Sequence, residues 1–274
     1  MKSLLLLIMT SFLSSCHMEI KINNINPVPE ETISAVGLIL STYKINIDSF
    51  NEQCISQYDE LTCSNIRLQN AITVINKRLA QTFSVKSTAF AIRNEDNMPI
   101  MITAGHVCKG FNEFLPMIRG LVSSISFDHL SNLTLQIEKT NSVYDIRGNE
   151  YAITETIYFN PDKPDICAFN IDRNFLSTIQ LAEDVPPVGS PVINIAVPYG
   201  IFGPNAIPIF RGIYSGQKDK HHQIFTVPAG PGSSGSPVLY NNKLIGIIHS
   251  VDRRISQVSY GTSLEIIQNV FYLE

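Results

Sequence analysis

The chain has 274 residues, 44% of them apolar and 16% charged, which suits a globular protein with one larger or two small domains. Its formal net charge at pH 7 is −4 and it contains no run of Lys or Arg, so nucleic acid is excluded as a partner. Fifteen Gly and fifteen Pro among short β-branched runs favour an all-β fold with many turns.

The N-terminus predicts an exported protein. Lys2 precedes a nearly unbroken apolar run over residues 4–13, so we interpret residues 1–15 as a signal peptide that is too short to span a bilayer. The sequence LSSC that ends at Cys16 resembles the bacterial lipobox, which implies that Cys16 is lipidated. We therefore expect a lipoprotein anchored on the periplasmic or cell-surface side of a membrane, with an ordinary signal peptide and a secreted protein as the alternative.

Residues 16–83 form an N-terminal extension without an assigned role. Polar, Pro-containing residues 21–31 are typical of a tether. The apolar run at 33–42 predicts a strand or a packed segment, and the roughly helical spacing of apolar residues over 66–83 predicts one helix.

Two acid–base residues stand at the ends of predicted strands. Strands at 85–93 and 98–104 form a hairpin that leads to His106, and Asp165 comes directly before a buried strand at 166–171. That apolar run would bury the carboxylate beside an imidazole, which favours Asp165 over the neighbouring aspartates. Those alternatives are Asp145, Asp162 and Asp172. Further β patterns lie at 121–127, 133–138 and 151–158.

The sequence GSSGSP at 232–237 predicts a tight turn that presents the hydroxyl of Ser234. Such a turn would aim the amides of Gly232 and Ser234 at one point, the geometry that an oxyanion needs. A plain Gly/Ser loop is the alternative. A serine nucleophile needs a base and a group that orients the base, and His106 and Asp165 supply both.

Three motifs carry a family resemblance: TAGH at 103–106, DICAF at 165–169 and GSSGSP. In this order they resemble the chymotrypsin-fold serine peptidases, in particular the bacterial trypsin-like branch of the HtrA proteases and glutamyl endopeptidases, although DICAF has one residue inserted before its alanine. The order also excludes an α/β-hydrolase, in which the serine comes first. The resemblance implies two six-stranded-type antiparallel β-barrels, at 84–182 and 183–274, the second ending in a short helix at 264–271.

The resemblance also implies a mechanism. His106, Asp165 and Ser234 would form a catalytic triad that hydrolyses peptide bonds through an acyl-enzyme, with Gly232 and Ser234 as the oxyanion hole and without a cofactor or metal. The partner would be a polypeptide substrate. Two alternatives share the scaffold: a catalytically inactive binding lipoprotein, and an esterase.

Candidate substrate-binding residues follow from the same resemblance. A substrate is expected to add as a strand beside residues 250–252, which begin with Ser250. His249 resembles, with a shift of one residue, the histidine that binds acidic side chains in glutamyl endopeptidases, and Ala229 stands where those enzymes carry Ser or Thr. Acidic specificity is one reading, and a merely packed or exposed His249 is the other. Pro228 stands where trypsins carry the aspartate that binds basic side chains, which argues against basic specificity.

The cysteines fit an exported protein. Besides Cys16, Cys54 and Cys63 could close a short loop in the extension. Cys108 and Cys167 each follow a proposed triad member by two residues, so they should lie close together and form a disulfide if the triad forms. A metal site is the competing interpretation, but the chain has no C-x-x-C pattern or His/Cys cluster.

Overall fold

The computed structural model of the chain describes residues 27–46, 83–109, 136–173, 175, 177–252, 254–255 and 257–272. These residues form two closed antiparallel β-barrels, which confirms the predicted fold class. In the part of the chain that is described, no helix has the length and apolar character needed to cross a bilayer.

The first barrel closes in the strand order β1-β2-β3-β6-β5-β4. Its strands are β1 (Val36–Asn46), β2 (Phe83–Arg93), β3 (Pro99–Thr103), β4 (Gln136–Tyr144), β5 (Glu150–Asn160) and β6 (Ile166–Ile171). A tight turn joins β2 to β3, because the Asn94 side chain accepts a hydrogen bond from the Met98 amide and Asn97 adopts a φ of 61° that Asn tolerates better than most residues.

β1 comes from the segment that the sequence analysis assigned to the N-terminal extension. It pairs with β2 on one side and with β4 on the other, so the first barrel begins at Val36 and not at residue 84. The run over 33–42 is apolar on both faces where it enters the barrel, which is why its periodicity did not separate a strand from a packed segment. A short helix α1 (Glu30–Ser34) precedes it, from the end of the expected tether at 21–31 into the start of the run at 33–42.

The second barrel closes in the order β10-β11-β12-β9-β8-β7. Its strands are β7 (Pro191–Ile195), β8 (Ile209–Gln217), β9 (His222–Phe225), β10 (Pro237–Tyr240), β11 (Lys243–Val251) and β12 (Ser259–Ser263). Asn241 and Asn242 connect β10 to β11 with φ values of 49° and 62°, the left-handed conformations that a two-residue hairpin turn requires. The predicted C-terminal helix is confirmed as α3 (Leu264–Phe271), which Ser263 caps by accepting from the Ile266 amide.

One apolar core joins the two barrels. Phe90 and Ile102 of the first barrel belong to the same buried cluster as Leu239 and Ile247 of the second. The predicted β pattern at 133–138 overlaps the start of β4, and the predicted strand at 166–171 coincides with β6. The helix predicted over 66–83 and the strand predicted over 121–127 lie outside the described residues.

We predict that Gly105→Ala destabilises the fold by about 2 kcal/mol or more. Gly105 opens α2 (Gly105–Lys109), and a Cβ there would overlap the Asn160 carbonyl and approach the Ile166 amide at 2.8 Å. Urea unfolding measures the loss. The matched control is Gly203→Ala, because nothing lies within 4 Å of a Cβ at Gly203 and the substitution should be nearly neutral. Equal stabilities of the two variants would contradict the close packing described for α2.

Candidate active site

His106 and Asp165 form a pair held by two hydrogen bonds. The His106 backbone amide donates to Asp165 Oδ1 at 2.7 Å, and His106 Nδ1 lies 2.8 Å from Asp165 Oδ2. A carboxylate can only accept here, so the geometry assigns the imidazole proton to Nδ1 and leaves the lone pair on Nε2. His106 therefore has the tautomer that a general base needs.

Neighbouring elements bring this pair together. α2 directly follows β3 and packs against the end of β5, where Gly105 meets the carbonyl of Asn160. The loop from Asn160 to Asp165 is braced by the Asn160 side chain, which donates to Lys163 O at 3.1 Å. From the second barrel, Thr262 Oγ1 donates to the Asp165 backbone carbonyl at 3.1 Å. Both barrels thus fix Asp165.

The alternative aspartates have other partners. Asp145 is buried in a turn of its own, where its carboxylate accepts from the amides of Arg147 and Asn149 and from the Tyr151 hydroxyl. Asp172 accepts from the Ala152 amide at the far end of β6. Of Asp165 and its three alternatives, Asp145, Asp162 and Asp172, only Asp165 contacts His106 in the described part of the chain.

A disulfide joins Cys108 to Cys167, as predicted. Cys108 lies in α2 and Cys167 in β6, two residues beyond His106 and Asp165 respectively. The bridge therefore links the two elements that carry the pair. The predicted lipidation site Cys16 and the predicted pair Cys54 and Cys63 lie outside the described residues and stay predictions.

Ser234 lies in the second of two consecutive turns on the seam between the barrels. The Ser233 amide donates to Gly230 O at 2.9 Å, and the Ser236 amide donates to Ser233 O at 3.0 Å. Gly232 and Gly235 have φ values of 96° and 85°, which glycine adopts without strain. This is the small-residue turn that the GSSGSP pattern predicted.

The turn leaves two backbone amides without a protein acceptor. Within the described residues, neither the Gly232 amide nor the Ser234 amide donates to a backbone or side-chain oxygen. Their flanking carbonyls are held, because Pro231 O accepts from the Tyr199 amide at 2.6 Å and Ser233 O accepts from Ser236. Since the N–H and C=O of a trans peptide point in opposite directions, both amides face away from these anchors. Such amides can stabilise a developing oxyanion.

The turn approaches His106 through Gly235. A Cβ at Gly235 would overlap Thr103 Oγ1 and lie 3.0 Å from the Ala104 amide, two residues before His106. No hydrogen bond between the Ser234 hydroxyl and the His106 imidazole occurs in the described part of the chain. Hydrogen bonds of this kind are often long before a substrate binds.

His249 lies beside Asp165 and is almost fully buried. Its Nδ1 is 4.0 Å from Asp165 Oδ2, and its side chain is 10% exposed. Burial lowers the pKa of His249 to about 4, although the nearby Asp165 carboxylate raises it. His249 is therefore neutral at pH 7 and does not balance the charge of the Asp165 carboxylate.

Of the two remaining predicted substrate-binding residues, Ser250 lies at the open end of β11 and Ala229 lies before the Ser234 turn. Ser250 is exposed and pairs with Tyr260 of β12 on one side, while β10 pairs with β11 only as far as Ile247. Ala229 is half-buried in the segment that leads to the Ser234 turn. Substrate binding by Ala229, His249 and Ser250 stays a prediction.

Sequence reasoning missed two residues. Thr88 is completely buried in β2, yet its hydroxyl and its amide both bond to the Ser234 turn. The His222 ring packs edge-on against that of His249, with centroids 5.3 Å apart. No local pattern marks either residue, because their partners are distant in sequence. Among described residues, no group of three His, Cys, Asp or Glu side chains is arranged to hold a metal ion.

Comparisons with known proteins agree with this geometry. A family model described as a trypsin-like peptidase domain matches residues 87–247, more than half of the chain. The active form of the Rv3671c protease from M. tuberculosis is similar, with a TM-score of 0.51 and 12% identity, over 87% of this chain and 79% of that one. An inactive form of that protease gives a TM-score of 0.50 and 12% identity, over 89% and 92% of the two chains. Identities this low show the fold alone, and no curated protein matches the chain.

We predict that His249 makes stability depend on pH between about 6.5 and 4. Because burial lowers its pKa from 6.5 to about 4, the unfolded chain binds a proton in this window that the folded chain does not. The stabilisation is complete above pH 6.5 and is lost as the pH falls to about 4, a change of about 3 kcal/mol. Chemical denaturation across this range, with His249→Gln for comparison, measures it. Parallel curves for wild type and variant would contradict the prediction.

Proposed function

Since the chain belongs to the trypsin-like peptidase family, we propose that it is a serine endopeptidase that hydrolyses peptide bonds through a Ser234-His106-Asp165 triad. The observation that carries the proposal is the double hydrogen bond from His106 to Asp165, which leaves Nε2 able to accept a proton. The proposal is also supported by the two amides of the Ser234 turn that have no protein acceptor, since such amides can stabilise an oxyanion.

The proposed reaction has two stages, acylation of Ser234 and hydrolysis of the acyl-enzyme. The Ser234 hydroxyl oxygen attacks the carbonyl carbon of the substrate while His106 Nε2 takes its proton, and the amides of Gly232 and Ser234 stabilise the oxyanion. His106 returns the proton to the leaving nitrogen as the C–N bond breaks, which gives an acyl-enzyme and a free amine. Water, deprotonated by His106, then attacks the acyl carbon, and the proton returns to Ser234 as the ester bond breaks.

The open end of β11 supports a polypeptide as substrate. Past Ile248, the edge of β11 that faces the Ser234 turn has no strand partner among the residues that the structure describes. An extended peptide can add to such an edge by main-chain hydrogen bonds, which places its scissile carbonyl beside Ser234. In this arrangement Ser250 supplies backbone contacts, and Ala229, in the segment that leads to the Ser234 turn, is a further candidate contact.

Fluorophosphonate labelling tests the proposal. We expect the wild-type protein to be labelled on Ser234 at neutral pH, because a neighbouring base makes the serine hydroxyl a stronger nucleophile. Ser234→Ala should abolish labelling. Ser215→Ala is the matched control, because Ser215 is an exposed residue of β8 and its loss should leave labelling unchanged.

The outcomes separate the alternatives. A folded wild-type protein that is not labelled would overturn the proposal in favour of an inactive binding protein. A labelled protein that cleaves esters but no member of a peptide library would be an esterase on the same scaffold.

The proposal includes export and a lipid anchor on Cys16. Its support is the N-terminal sequence and the Cys108–Cys167 disulfide, since such bonds persist in oxidising compartments. In a bacterial host, we expect the mature wild-type protein to begin at Cys16 and to carry acyl chains on it, and Cys16→Ser to carry none, as mass spectrometry of the N-terminal peptide would show. A mature protein without acyl chains on Cys16 would contradict the anchor and leave the peptidase proposal untouched.

A further inference from the structure

Thr88 makes contacts that the triad does not explain. It lies in β2 of the first barrel and its side chain is 0% exposed, yet its hydrogen bonds reach the second barrel. The hydroxyl Oγ1 donates to Gly232 O at 2.8 Å and accepts from the Val197 amide at 3.0 Å. The Thr88 amide donates to Ser234 O at 3.0 Å.

These bonds hold both residues that carry the unpaired amides. The Thr88 hydroxyl donates to the carbonyl of Gly232, and the Thr88 amide donates to the carbonyl of Ser234. The carbonyl of a residue fixes its ψ angle, so each bond restricts the rotation that would turn the neighbouring amide away. The restriction matters most at Gly232, because glycine has access to more backbone conformations than any other residue.

The Val197 contact extends this grip to the preceding peptide. Val197 begins a short segment whose Tyr199 amide donates to Pro231 O at 2.6 Å, which orients the Pro231–Gly232 peptide. Thr88 Oγ1 bonds both Val197, which begins the segment that holds Pro231 O, and Gly232, whose amide belongs to the Pro231–Gly232 peptide. One hydroxyl therefore connects that segment to Gly232. The carbonyls on both sides of the Gly232 amide are therefore fixed relative to Thr88.

We infer that Thr88 is a positioning residue that keeps the amides of Gly232 and Ser234 aimed at the oxyanion. The inference rests on the proposed function, since it assigns Thr88 a part in the same reaction. Thr88 touches no reacting atom. Its hydroxyl acts through the Gly232 carbonyl, so its loss should affect the transition state, where the oxyanion exists, more than the ground state.

The test is Thr88→Val, which keeps the shape of the side chain and removes the hydroxyl. We expect kcat for a peptide that wild type cleaves to fall about 10- to 100-fold while KM changes less than about threefold. The affinity for a peptide aldehyde of the same sequence should fall by a similar factor, because its adduct with Ser234 places an oxygen at the same amides. Thr88→Ser retains the hydroxyl and should keep kcat within about threefold of wild type.

Thr226→Val is the matched control. Thr226 Oγ1 also accepts from one backbone amide, that of Ile213 at 2.9 Å, but within the second barrel. Its loss should leave kcat and aldehyde affinity unchanged. If Thr88→Val does not fold, Thr88→Ala replaces it. If neither folds, the serine variant decides, since it must retain both kcat and aldehyde affinity.

Two results would overturn the inference. One is a folded valine or alanine variant with kcat and aldehyde affinity equal to wild type. The other is a serine variant that loses as much kcat as the valine variant, which would assign the effect to the methyl group. A wild-type protein that neither cleaves peptides nor reacts with fluorophosphonate would instead overturn the proposed function, so the two failures are distinguishable.

Discussion

The hydrogen bond from the Thr88 amide to the Ser234 carbonyl crosses the seam between the two barrels, and the candidate active site depends on that seam. Each barrel closes on its own strands, so neither sheet determines where the other lies. The shared apolar core holds the barrels together, and the hydrogen bonds that Thr88 and Thr262 donate to the opposite barrel add to it. Apolar contacts are non-directional, whereas these hydrogen bonds fix orientation.

Burial decides which histidine beside Asp165 stays uncharged. The Asp165 side chain is 12% exposed, and its neighbour His249 is kept neutral by its own burial. His249 therefore adds no positive charge beside this carboxylate at neutral pH. The contact that Asp165 keeps is the one to His106, whose Nδ1 lies 2.8 Å from Asp165 Oδ2. His249 is neutral because it is buried.

The parts of the site that the sequence predicts are those with local patterns. His106 and Asp165 stand at the ends of strands whose apolar residues are visible in the sequence, and the glycines around Ser234 mark a turn wherever it lies. The pattern predicts β6 with its observed bounds because Asp165 precedes the apolar run. The helix α3 was instead expected from the family resemblance, and its bounds also agree.

The features that were not predicted depend on partners far along the chain. β1 reads as an apolar run of either kind until its pairing with β2 and β4 is known. Thr88 is one of several hydroxyl residues in β2, and only its bond to Gly232, 144 residues away, distinguishes it. The edge contact of His222 with His249 likewise requires β9 and β11 to flank β12. Propensity and periodicity carry no information on such contacts.

The central claim is that a serine, a histidine and an aspartate on two barrels act as one hydrolytic unit, and trapping the acyl-enzyme tests it most directly. Wild-type protein would be mixed with an activated peptide ester, quenched in acid within the first turnover and digested for mass spectrometry. The account predicts one acyl group per chain, on Ser234, and none when His106 is replaced by Ala. An acyl group on another residue, or hydrolysis with no acylated Ser234 at any quench time, would contradict it.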